Sequence, residues 1–174
     1  MQKSIIASFL AIAALAPLAA SAADGTITIT GTVTAQTCTI NGGTPNLAVT
    51  LPTVSASALA STGQTATPTP FTITLTACNP NSGNVRAFFE TGPNVDATTR
   101  RLKNNGTATN LQIGLLNTDN TPISIGAASG AQGTASVALS GGSANLTYLA
   151  QYVATGAVAA GTVTTSVTYS IEFP

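Results

Sequence analysis

Residues 25–33 read Gly25-Thr26-Ile27-Thr28-Ile29-Thr30-Gly31-Thr32-Val33. Threonine fills every second place, and Ile27, Ile29, Gly31 and Val33 stand between the threonines. In extended backbone a period of two sends alternate side chains to opposite faces, so this is a strand with one apolar and one hydroxyl face. It carries no charge, and no turn residues separate it from the next alternating stretch, residues 34–40. The whole run of about 16 residues is long for one strand of a sandwich, where about five or six is usual. Two arrangements accommodate it. Either the run bends and serves both sheets of its own domain, or its first half pairs elsewhere.

Downstream the same period recurs. Leu47, Val49 and Leu51 form one apolar set, ended by Pro52, and Phe71, Ile73 and Leu75 form another that leads into Cys78. Further sets are Val85/Ala87/Phe89, Leu111/Ile113/Leu115, Val137/Leu139 and Leu146/Tyr148/Ala150/Tyr152. The last strand is expected to be long, with Val163, Val167, Tyr169, Ile171 and Phe173 on its apolar face. Clusters such as Asn41-Gly42-Gly43, Asn104-Asn105-Gly106 and Gly141-Gly142-Ser143 punctuate these runs as turns. A short helical turn is expected only within residues 54–60. The pattern predicts an all-β sandwich of immunoglobulin type.

Composition narrows the function. Of 174 residues, 44% are apolar and only 6% charged, with five basic and five acidic side chains. Disorder would need low hydrophobicity with high net charge, and nucleic-acid binding would need a basic face. No charge lies between Asp24 and Arg86, or between Asp119 and Glu172. Hydroxyls and amides must keep that surface wet. The chain has no histidine, so it lacks the commonest general base and the commonest metal ligand. Glu90, Asp96, Asp119 and Glu172 are scattered, and no serine or threonine has a histidine to activate it. No catalytic residue, metal site or cofactor is expected. Arg100-Arg101-Leu102-Lys103, the one basic cluster, reads as a solvated loop.

Met1-Gln2-Lys3 followed by the apolar stretch 5–18 and Ala20-Ser21-Ala22 has the layout of a signal peptide. The apolar run of about 14 residues is short of the roughly 20 a spanning helix requires. Residues 1–22 are therefore expected to be removed, with cleavage after Ala22 or, one place later, after Ala23. Export takes the chain through an oxidising compartment, where the only two cysteines, Cys38 and Cys78, are expected to form one disulfide.

The stretch from Gly25 to Cys38 resembles the N-terminal extension and first strand of type 1 fimbrial major subunits, the pilins of the chaperone–usher pathway. The resemblance continues through Phe71-Thr-Ile-Thr-Leu-Thr-Ala-Cys78, Ala108-Thr-Asn-Leu-Gln-Ile113 and Ala150-Gln-Tyr-Val-Ala-Thr-Gly156. It departs at the end, where that family carries a penultimate tyrosine and this chain has Phe173 before Pro174.

The resemblance implies an incomplete immunoglobulin-like sandwich that lacks its last strand, with an N-terminal donor-strand extension. Residues 23–33 would be that extension and 34–174 the pilin domain. Ile27, Ile29, Gly31 and Val33 would point inward from the donor strand. Val167, Tyr169, Ile171 and Phe173 would form the edge strand bordering the groove, where a periplasmic chaperone docks. The implied partners are neighbouring subunits of the same kind, that chaperone, an outer-membrane usher, and a tip adhesin or adaptor. The implied function is a structural subunit of a surface fimbria supporting cell adhesion. A minor adaptor or terminator subunit, or a self-contained secreted β-sandwich binding module, are the alternative readings.

Overall fold

A computed structural model describes residues 27–31 and 37–174. The expected signal segment 1–22, Val33, and the residues leading up to Thr37 lie outside the described residues. The chain divides into two units, Met1–Val33 and Thr34–Pro174. In the first, residues 27–31 form no helix, strand or turn, and Ile27 and Ile29 are 89% and 90% exposed.

The second unit is built of strands. They are β1 (Thr37–Ile40), β2 (Thr65–Asn79), β3 (Asn84–Phe89), β4 (Leu102–Lys103), β5 (Thr109–Asn117), β6 (Val137–Ala138), β7 (Ala144–Ala159) and β8 (Tyr169–Glu172). The expected helical turn is a 3-10 turn at Ala56–Leu59, capped by the Ser55 hydroxyl. One sheet has the order β1-β2-β7-β5-β4 and the other β6-β3-β8, every pair being antiparallel.

The period-two sets supply the core. Ile73, Leu75, Val85, Ala87, Phe89, Ile113, Leu146 and Tyr148 are all buried. In β2, Pro68 and Pro70 cannot donate to the ladder, and the pairing with β7 slips between Ala66 and Thr69 before resuming at Thr69↔Ala150 and running on through Phe71↔Tyr148 and Ile73↔Leu146.

The two sheets are joined through Tyr148. Its ring meets Phe89 of β3 edge-on, with centroids 5.4 Å apart. Its buried hydroxyl accepts the Ala87 main-chain N–H at 3.1 Å, and burial pushes the phenol pKa up. Beside it, the buried Gln132 amide accepts the Phe89 N–H at 2.9 Å and donates to the Phe89 carbonyl at 2.7 Å. Beyond the short β6 pairing, therefore, two side chains stand in for a strand along this edge of β3.

Two expected strands differ from the pattern. Residues 44–54 and 160–168 carry the predicted alternation but belong to no ladder. Leu47, Val49 and Leu51 lie in the first segment, and Val163 and Val167 in the second. Alternation reports which face is apolar; a ladder also needs a neighbour, and the segments have none between them.

Cys38 and Cys78 are bonded, tying β1 to the end of β2. Closing a 40-residue loop stabilises a fold by about 4 kcal/mol on the chain-entropy scale. Replacing both cysteines by serine should lower the subunit's unfolding free energy by about that amount, read as an earlier denaturant midpoint. An unchanged midpoint would show that β1 is held without the bond.

Candidate functional site

Between the two unladdered segments runs a groove of about 820 Å³. Phe71, Ile73, Ile113, Leu115 and Tyr152 are among its lining, brought there from β2, β5 and β7. Residues 45–51 line one side, without Ala48, and residues 163–169 line the other.

The 163–169 wall is held from one side only. In extended backbone the main-chain groups of successive residues point alternately to either side of the strand. At even positions they are taken up by the domain. The carbonyls of Thr162 and Thr164 accept from the amides of Ala108 at 3.0 Å and Asn105 at 2.8 Å, and the Thr168 carbonyl accepts from Glu90 at 2.9 Å. The Ser166 carbonyl accepts from the Asn94 side chain at 3.0 Å. At Val163, Thr165 and Val167 no main-chain hydrogen bond is formed with any described residue. These odd positions are also the half-buried ones, while Thr162, Thr164, Ser166 and Thr168 are exposed.

Asn104 is the clip that fixes this wall. Its Oδ1 accepts from the amides of Gly106 at 2.9 Å and Thr164 at 2.8 Å, and its Nδ2 donates to the carbonyls of Ala108 at 2.8 Å and Thr162 at 3.2 Å. Two glycines allow the close approach. A Cβ on Gly106 would collide with the Thr162 carbonyl, and one on Gly161 would collide with the Ala108 main chain.

The opposite wall is held by side chains. Main-chain bonds within the domain are absent from residues 46–54. The Tyr152 hydroxyl donates to the Pro52 carbonyl at 3.1 Å and the Tyr169 hydroxyl to the Pro45 carbonyl at 2.7 Å. Burial pushes both phenol pKa values up, so both stay protonated donors at neutral pH. The Tyr169–Pro45 bond spans the groove from wall to wall. What results is an apolar trough flanked by two lengths of unpaired main chain. Main-chain pairing with an added strand is the interaction such a site offers.

Of the expected edge residues, Val167 and Tyr169 line the groove. Ile171 and Phe173 do not; they pack half-buried on the core. Tyr169 and Ile171 belong to β8, at the end of the β6-β3-β8 sheet, where Ile171 pairs with Ala87 and an Arg86–Glu172 ion pair at 2.8 Å fastens the strand. Of the expected donor residues, Ile27 and Ile29 are exposed and a Cβ on Gly31 would meet nothing within 4 Å; Val33 lies outside the described residues.

Sequence reasoning missed Asn104, taken for part of a turn, and Thr165, whose hydroxyl is buried without a partner. The signal for Asn104 was the pair of glycines in register with it, at 106 and 161. Among the described residues no three His, Cys, Asp or Glu side chains gather as metal ligands would. Asp96 and Asp119 serve their own turns, their carboxyl pKa values lowered by hydrogen bonds from Thr98, Thr99 and Thr121.

Residues 51–174 match the family model described as "Type-1 fimbrial protein, A". The chain is 49% identical over 168 residues to the major fimbrial subunit SMF-1 of Stenotrophomonas maltophilia, covering 92% of this chain and 98% of that one. It is 45% identical over 169 residues to the F17 fimbrial protein of Escherichia coli, covering 93% and 94%. A minor fimbrial subunit of Haemophilus influenzae, HifD, is 34% identical over 176 residues, covering 93% and 80%. The fold is similar to that of the P pilus rod subunit PapA, with a TM-score of 0.59 at 21% identity over 79% of this chain and 99% of that one.

Removing the Asn104 clip should loosen one wall and leave the core intact. In Asn104→Ala the amides of Thr164 and Gly106 should exchange with solvent at least about tenfold faster, and the domain should lose about 2–3 kcal/mol. Core amides of β7 should exchange only through global unfolding. Unchanged exchange at Thr164 would show the wall is fixed by something else.

Proposed function

Since the chain belongs to the type-1 fimbrial protein family, we propose that it polymerises by donor-strand exchange, residues 23–33 of one copy filling the groove of the next. It is a structural subunit of a chaperone–usher fimbria, exported and assembled on the cell surface. The observation that carries the exchange reading is the groove, with an apolar floor and the odd-numbered main chain of 163–167 unpaired. The segment needed to fill it has the complementary property: of its alternating apolar side chains, Ile27 and Ile29 are exposed.

The energies are adequate. Burying Ile27, Ile29 and Val33 contributes roughly 5–8 kcal/mol. About eight ladder bonds at about 1 kcal/mol each add a similar gross amount, opposed by the cost of ordering the segment. Before assembly the same unpaired edge needs another cover, because an open apolar edge strand aggregates. A periplasmic chaperone lending a strand fits that need, with the usher as the place where one strand replaces the other and a tip adhesin or adaptor at the fibre's far end. The closeness to major subunits favours the rod over a minor adaptor or terminator, and counting chains in purified fibres separates the two.

Ile29→Asp puts a carboxylate into a groove that has no basic side chain in its lining. Chaperone capture should be unchanged, because residue 29 lies outside the folded domain, while incorporation into fibres should fall at least a hundredfold, from an unpaired charge costing several kcal/mol. If the variant is lost from the chaperone complex as severely as from the fibre, residues 25–33 are an ordinary strand of their own domain. A self-contained secreted module is then the better reading.

A further inference from the structure

An asparagine followed by glycine loses its side-chain amide more readily than other asparagines, because glycine sets no side chain beside its own amide nitrogen. That nitrogen attacks the asparagine Cγ, ammonia leaves, and water opens the cyclic imide. The chain holds two such pairs, Asn41-Gly42 and Asn105-Gly106. The fold treats them oppositely.

At Asn105-Gly106 the nucleophile and the leaving group are both engaged. The Gly106 amide donates to Asn104 Oδ1 at 2.9 Å, and the leaving nitrogen, Asn105 Nδ2, donates to Asn94 Oδ1 at 2.8 Å. The Asn105 main-chain amide is tied to the Thr164 carbonyl at 2.8 Å. Gly106 also lies so close to Thr162 that a Cβ there would collide with its carbonyl. The Asn104 clip therefore holds this pair away from cyclisation.

Asn41-Gly42 has the reverse arrangement. Gly42 is exposed, and its amide donates to no side chain and to no main-chain carbonyl outside the Asn41–Gly43 turn among the described residues. A Cβ on Gly42 would meet nothing within 4 Å, so water reaches it freely. Asn41 Oδ1 accepts the Thr74 main-chain N–H at 2.8 Å. As nitrogen adds to Cγ, charge develops on that oxygen, and a donor already aimed at it stabilises the charge. The leaving nitrogen, Nδ2, is buried without a hydrogen-bond partner, so expelling it breaks no bond and removes an unsatisfied donor. The nucleophile is open, the electrophile polarised and the leaving group unheld.

We propose that Asn41 is a self-modifying site. In the folded subunit the Gly42 nitrogen displaces the Asn41 amide as ammonia, and water opens the imide to an aspartate or isoaspartate at position 41. The Gly42 amide proton leaves with the ammonia, one water is consumed, and no oxidant, reductant or cofactor takes part. The product places a negative charge in the stretch between Asp24 and Arg86, which has none, just past the Ile40↔Leu75 pair that ends β1. The isoaspartate form also adds a carbon to the main chain there. Because the reaction runs one way, the modified fraction records time since folding. The site does not depend on donor-strand exchange.

The test follows protein recovered from the cell surface, held at growth temperature and mildly alkaline pH and sampled over weeks. Samples are digested with pepsin in acid, where the reaction is slow, and mass spectrometry of peptides spanning position 41 or 105 reads the conversion of amide to acid. In the folded protein position 41 should convert at least about tenfold faster than position 105, its nucleophile free of one hydrogen bond and its developing oxyanion supplied with one. In the same protein unfolded in denaturant the two should convert at similar rates. Asn104→Ala frees the Gly106 amide and should speed position 105 about five- to tenfold, leaving position 41 unchanged. Equal rates in the folded protein, or faster loss at 105, overturn the proposal. A ratio as large in the unfolded protein overturns the role of the fold, and an unchanged rate at 105 in Asn104→Ala overturns the protection assigned to the clip.

Discussion

Every main-chain amide and carbonyl that leaves water must find a partner, and the wall at residues 163–169 satisfies that rule on one side only. Its even positions are bonded to the domain, and the main chain of Val163, Thr165 and Val167 to nothing described. The immunoglobulin-like sandwich is incomplete at this place, where residues 44–54 and 160–168 belong to no ladder. The other features take their meaning from that asymmetry: the trough is apolar because a strand's inner face belongs there, and the second wall lacks a ladder because its neighbour is the missing strand. A subunit with an unpaired edge on each side of a groove is suited to main-chain pairing with an added strand.

Elsewhere, edges of the same kind are closed with side chains. Gln132 gives Phe89 both a donor and an acceptor, Tyr148 takes the Ala87 amide, and Asn104 meets two amides and two carbonyls around the 163–169 wall. Each substitutes an amide or hydroxyl for a strand. The groove is where an apolar floor and unpaired main chain coincide.

Most of the fold was legible because period two is a local signal. Phe71, Ile73 and Leu75, or Leu146 and Tyr148, declare their face without knowing their neighbours, and each is at least half-buried as the alternation requires. The 44–54 and 160–168 segments show where that signal stops. Their alternation was visible, but whether a strand has a partner is a property of the assembled chain. The groove was expected only through family resemblance; Val167 and Tyr169 line it, and Ile171 and Phe173 continue the same stretch half-buried on the core. Asn104 was illegible for a related reason. An Asn-Asn-Gly sequence is a turn in almost any context, and two of its four bonds depend on Thr162 and Thr164, which are 58 and 60 residues away.

Covalent structure completes the physical logic of a fibre. If the strand of one subunit is buried in the next, pulling on the fibre loads the short connection from Val33 to Cys38. Beyond it, the Cys38–Cys78 bond passes the load to the end of β2. That strand pairs with β7 from Thr65↔Val153 to Leu75↔Ala144, and β7 pairs in turn with β5. Force therefore enters the centre of the larger sheet through a sulfur bridge. It does not have to peel β1, whose four residues would make a weak anchor by themselves. The other end of the load path is the groove wall, which the Asn104 clip and the Arg86–Glu172 pair fasten to the domain. A subunit that is incomplete as a monomer thus has reinforcement at both points where it is joined to its neighbours.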